Sequence, residues 1–116
     1  MMVDYDVVVA RAVKSLGVPV YHNTAPETGE NYPFIVYRTL SVSPDMHADD
    51  RFISYQHSVR VTIVSNNNEP VKALETAVIE AMVAADYMWQ TTNPSVESRE
   101  YGETYTAIDF ICVYFV

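Results

Sequence analysis

The most regular alternation of apolar and polar positions falls at residues 55–65, Tyr55-Gln56-His57-Ser58-Val59-Arg60-Val61-Thr62-Ile63-Val64-Ser65. His57, Val59, Val61 and Ile63 share one side of an extended segment; Gln56, Ser58, Arg60 and Thr62 share the other. Period-two patterning rich in β-branched residues predicts a strand with one face on a core and one toward water. The polar run Asn66-Asn67-Asn68-Glu69-Pro70 ends this strand and starts a helix over residues 69–84. There Val71, Leu74, Val78, Ala81, Met82 and Ala85 form an apolar stripe, while Lys72, Glu75, Thr76 and Glu80 face out. Asn68 is placed to cap this helix, and Pro70 in its first turn has no intrahelical partner to lose.

The rest of the chain is organised around this pair. Tyr5, Val8, Val9, Ala12, Val13 and Leu16 recur at helical spacing and predict a helix over residues 4–16. Asp4 suits its start, Arg11 and Lys14 suit its end, and Gly17 is a natural left-handed stop. Residues 19–22 read as a short strand, residues 23–31 as a turn-rich loop, and residues 34–40 as a strand entered through Pro33. Phe34, Val36 and Arg38 share one face of that strand; Ile35, Tyr37 and Thr39 share the other. From residue 41 to residue 53 the alternation fails, and a long functional loop is expected there. Residues 88–91 and 95–98 read as two short strands around Asn93-Pro94. Gly102 punctuates a hairpin before a last strand at residues 105–116, whose apolar residues on both faces predict cover on both sides. The order is α-β-β-(long loop)-β-α-β-β-β: an α+β fold, a largely antiparallel β-sheet packed by two helices.

Length and charge narrow the function classes. A chain of 116 residues without repeats is one domain, residues 1–116, able to bury roughly two-thirds of its unfolded surface. Fifteen acidic against seven basic residues leave a net charge of −8, which disfavours phosphate-rich nucleic acid and anionic membrane as partners. The single cysteine, Cys112, lies in an apolar run and reads as a buried hydrophobe in a reducing compartment. With no signal-peptide pattern and no apolar run of membrane length, a soluble protein of cytoplasmic origin is expected.

Catalytic signatures are missing. Glycines stand only at positions 17, 29 and 102, so no phosphate loop or dinucleotide fingerprint can be assembled, and no cofactor is implied. The metalloprotease and nucleophile-elbow motifs are absent as well. Asp45, His47, Asp49 and Asp50, with His22 or His57, are the nearest approach to a divalent-metal set. Their spacing matches no established site, and a solvated acidic loop explains them. His57 on the apolar face reads as a structural histidine, and Cys112 as an inert thiol. Nine tyrosines and four phenylalanines without interleaved basic residues read as core and protein–protein contact. The sheet edges and the aromatic last strand are candidates for pairing with a neighbouring subunit.

Taken in order, the pieces resemble a family. These are the helix ending in Leu16-Gly17-Val18-Pro19-Val20-Tyr21, then Tyr32-Pro33-Phe34-Ile35-Val36-Tyr37, then a long polar loop with Ala48-Asp49-Asp50. The strand Val59-Arg60-Val61-Thr62-Ile63-Val64-Ser65 follows with its helix carrying Leu74 and Met82, and last come Glu100-Tyr101-Gly102-Glu103-Thr104-Tyr105 and Asp109-Phe110. Over nearly the whole chain this resembles the tail-completion, head–tail joining or tail terminator proteins of long-tailed bacteriophages.

That resemblance implies a virion protein without catalysis, forming a typically sixfold ring at the head-proximal end of the tail. Such a ring ends tail-tube polymerisation and docks on the head connector, and DNA passes through its channel without specific binding. Its partners are further copies of itself, the tail tube protein and the head connector protein. By the same resemblance, Ser43, Pro44, Asp45, Met46, His47, Ala48, Asp49, Asp50, Arg51 and Phe52 form the loop that reaches a neighbouring subunit or the tube. Two competing readings are a small α+β oligomeric binding module of unknown ligand, which calls for an enclosed apolar pocket, and a metal-assisted enzyme built on the acidic loop.

Overall fold

A five-stranded sheet in the order β1-β2-β3-β5-β4 carries two helices on one face. The computed structural model describes residues 5–23, 33–48, 51–66, 71–98 and 102–115. The elements are α1 (Tyr5–Lys14), β1 (Val20–His22), β2 (Phe34–Ala48), β3 (Arg51–Asn66), α2 (Lys72–Ala84), β4 (Met88–Ser98) and β5 (Glu103–Phe115). β1 pairs parallel to β2, and every other pairing is antiparallel. The α+β class and largely antiparallel sheet are therefore as expected.

The alternation of β3 is realised in the packing. His57, Val59, Val61 and Ile63 are buried to within 1 % of full burial. They meet Ile35 and Tyr37 of β2 and Ile108, Phe110 and Cys112 of β5 in one core. α1 supplies Val9 and Val13 to this core, and α2 supplies Val78 and Met82. β-branched side chains suit the pleat but hold a lone helix poorly, so α1 depends on this contact for its order.

Helix ends decide how the layers join. Gly17 takes φ +77° after α1, the left-handed turn foreseen for it. α2 ends without a glycine: Asp86 takes φ 69°, its N–H donates to Val83 O at 3.0 Å, and the Tyr87 N–H donates to Met82 O at 3.0 Å. This is a Schellman closure, and it drives Tyr87 into the core. Val71 occupies the N-cap position with no side-chain cap. Asp4, Asn68 and Pro70 lie outside the described residues.

Three expectations need correction. Residues 41–53 are not an irregular loop, because β2 and β3 continue through them as a long antiparallel hairpin. Leu40 and Asp45 on β2 and Ile53 on β3 are extra residues at shifts in register, and each bulge reverses the side-chain alternation. The two short strands around Asn93-Pro94 are one strand, β4, with a shift between Asn93 and Val96. Proline is tolerated there because β4 is an edge. β5 is interior but not covered on both sides: Tyr105, Ala107, Asp109, Ile111 and Val113 are half-exposed, and Phe115 is 70 % exposed. Both helices lie on the opposite face. The observed order is thus α-β-β-β-α-β-β.

Candidate assembly interface

The sequence-predicted interface residues occupy the end of the β2–β3 hairpin. Ser43, Pro44, Asp45, Met46, His47 and Ala48 lie in β2, and Arg51 and Phe52 in β3; Asp49 and Asp50 lie outside the described residues. The last described rung of β5 pairs Phe115 with Ser54. Beyond it, among the described residues, His47 with Phe52 and Ala48 with Arg51 have only each other as strand partners. On the other edge, β1 reaches only as far as Tyr37. The molecule is accordingly long, 54 × 25 × 22 Å, with a Cα radius of gyration of 15.5 Å. A compact domain of this size would show about 13 Å.

Part of the sheet's second face is exposed as well. Ile111, Val113 and Phe115 follow one another along it, and Met88 pairs with Ile111 from β4. Met88 is 55 % exposed. Across the same face runs a charged row: Arg38 opposite Arg60, and Arg60 opposite Asp109. Arg60 Nε donates to Asp109 Oδ1 at 2.7 Å and Nη2 donates to Oδ2 at 3.0 Å. The bond to Asp109 holds the Arg60 guanidinium above its usual range, against a smaller opposing effect of burial. Beside this row lies an open concavity of about 280 Å³, walled by Asn23, Val36, Arg38, Thr62 and Tyr105 among others. A second open groove, of about 410 Å³, runs between α1 and α2 and is lined largely by alanines. Neither is an enclosed apolar pocket of the kind small ligands favour.

The edges are built against strand addition. β2 carries Pro44 next to its Asp45 bulge, and β4 carries Pro94 within its own register shift. Bulges and prolines on open edges obstruct pairing with a further strand.

A buried polar cluster sits on the helix-covered side. His57 Nε2 lies 2.9 Å from Thr39 Oγ1, and His57 Nδ1 lies 2.6 Å from the Tyr87 hydroxyl. The Tyr87 hydroxyl is 2.9 Å from that of Tyr114, whose ring stacks on Tyr55 at 5.4 Å. Burial pushes the Tyr114 hydroxyl up to about 12, only partly opposed by its bond to Tyr87. Burial likewise raises the Cys112 thiol. Both ring nitrogens of His57 are engaged in hydrogen bonds and the residue is fully buried. His22 stacks on the Tyr37 ring at 4.6 Å. Among the described residues no group of three or more His, Cys, Asp and Glu side chains is placed to hold a metal. Sequence reasoning missed Tyr87, whose one signal was its place just after the helical stripe.

Among the described residues no helix is long and apolar enough to cross a membrane. Comparison of the chain with protein-family models and with curated proteins gives no match.

Proposed function

We propose that this chain is a structural protein of a long-tailed bacteriophage virion. It assembles with copies of itself into a ring, typically sixfold, at the head-proximal end of the tail. The ring ends polymerisation of the tail tube and joins the tail to the head connector. The observation that carries this reading is the long β2–β3 hairpin, whose last described rungs, His47 with Phe52 and Ala48 with Arg51, lie past the rung where Phe115 pairs with Ser54 in a molecule 54 Å long. Two strands without a third, or a covering helix, are marginal in water. Such an arm gains its burial from a neighbour, which an assembly component has and a solitary binding module lacks. The sheet face away from the helices, on which Met88 and Phe115 are exposed, supports the same reading.

The net charge of −8 fits a channel through which DNA must slide without adhering. In this reading the hairpin end, residues 43–52, meets a neighbouring subunit or the tail tube, and no residue has a catalytic role. The test is deletion of the gene from the phage or prophage that carries it, with electron microscopy of the induced lysate. DNA-filled heads beside unattached tails, or tubes of uncontrolled length, are expected. Normal infectious virions would overturn the reading.

A further inference from the structure

Arg38 stands directly opposite Arg60 on the face of the sheet away from the helices. Like charges placed opposite each other across two strands repel, and Asp109 relieves only one of them, because Arg60 takes both of its oxygens. The other carboxylate at hand on that face, Glu103, accepts from the Tyr105 hydroxyl at 2.6 Å. Among the described residues no carboxylate lies within ion-pair distance of Arg38. An exposed guanidinium thus borders an open concavity whose wall adds Asn23 and Thr62 as hydrogen-bonding groups and Val36 as an apolar surface.

We infer that this concavity is a socket for a carboxylate side chain of a second copy of the chain. The planar fork of arginine binds a carboxylate through two parallel hydrogen bonds, which gives direction as well as attraction. The socket is open along the sheet face, which suits a side chain projecting from a neighbouring protein better than a small free ligand. A phosphate backbone is disfavoured by the net charge of −8. A second copy, by contrast, presents fifteen acidic residues against seven basic ones, so Arg38, which has no carboxylate partner among the described residues, meets its complement there. The inference rests on the self-assembly in the preceding reading and names the contact that orients it.

Sedimentation velocity of the full chain over a concentration series, at roughly 50 and 500 mM salt, tests it for the wild type, Arg38→Gln, Arg38→Glu and Arg11→Gln. The wild type is expected to self-associate, less so at high salt. Arg38→Gln should weaken association by about tenfold and Arg38→Glu by more. Arg11→Gln, an exposed cation on α1, should leave it unchanged. Thermal melts should show both Arg38 variants folded, since each removes a repulsion with Arg60. Association equal to wild type in Arg38→Glu overturns the socket and leaves the ring reading in place. A wild type that stays monomeric up to about 1 mM also overturns the socket, whereas the ring reading stands or falls on the deletion phenotype.

Discussion

Arg60 and Asp109 face each other across β3 and β5 and share two hydrogen bonds, of 2.7 and 3.0 Å. Their side chains are 33 % and 17 % exposed, so the pair is neither fully hydrated nor buried at high desolvation cost. A double-mutant cycle with Arg60→Gln and Asp109→Asn should give a coupling of about 1 kcal/mol in urea unfolding. The two single changes should not be equal. Asp109→Asn leaves Arg60 facing Arg38 with no counter-charge, so it should cost more than Arg60→Gln, and adding Arg38→Gln should recover part of the loss.

His57 ties β3 to the end of α2 through Tyr87 and to β2 through Thr39. Replacing it with phenylalanine keeps the ring volume but leaves two hydroxyls short of a partner in a dry site. The expected cost is about 2–3 kcal/mol. Tyr87→Phe should cost less in the His57→Phe background than alone, because the lost hydrogen bond is the same one. Equal costs in both backgrounds would show that the two groups do not act together.

Asp86 holds a left-handed conformation, φ 69°, in the turn that delivers Tyr87. Glycine adopts that region without the Cβ clash, so Asp86→Gly should stabilise the fold by about 0.5–1 kcal/mol. A β-branched replacement such as Asp86→Val should destabilise it by more than that gain. Urea midpoints of the two variants check the sign.

The Tyr114 hydroxyl is raised to about 12 in the folded protein, chiefly by burial, against an ordinary value near 10. The folded state therefore holds its proton more tightly than the unfolded state. The corresponding stability is fully present below about pH 10 and is lost as pH rises toward 12. Unfolding midpoints measured from pH 8 to 11.5 should fall more steeply for the wild type than for Tyr114→Phe. The other tyrosines remain in both proteins, so the difference between the two curves isolates this group. Parallel curves would mean that Tyr114 ionises alike in both states.

Some of this architecture is legible in residue order and some is not, for physical reasons. The burial of His57, Val59, Val61 and Ile63 follows from alternation alone, because nothing interrupts the period between them. Residues 41–53 belong to the same two strands yet read as loop. Bulges at Leu40, Asp45 and Ile53 each reverse which face the next residue takes, so no window keeps a period of two. Pro94 hides the continuity of β4 in the same way. The faces of β5 could be read, but not that both helices choose one of them, since that depends on how the chain crosses the sheet. Arg38 and Arg60 each lie on a polar face by periodicity. Only the register between β2 and β3 makes them neighbours, and register is a long-range property. Tyr87 was hidden because its position depends on a left-handed residue that is not glycine.

The arm itself offers the sharpest separation of folding from assembly. Among the described residues its outer rungs, His47 with Phe52 and Ala48 with Arg51, pair only with each other, past the rung where Phe115 meets Ser54. Segments with few partners lie at the low end of local stability and contribute little to the global value. Joining Met46 to Ser54, a paired rung, through an Asn-Gly turn, which favours a two-residue hairpin, removes the arm's end and keeps Ser54 opposite Phe115. It should cost no more than about 1 kcal/mol in urea unfolding. The same variant should fail to restore infectious particles when supplied to a deletion strain, if the hairpin end meets a neighbour as proposed, because that end is gone while the core remains. A shortened protein that folds and still restores normal virions would deny the arm its role in assembly. One that loses most of its stability would show instead that the arm is part of the fold.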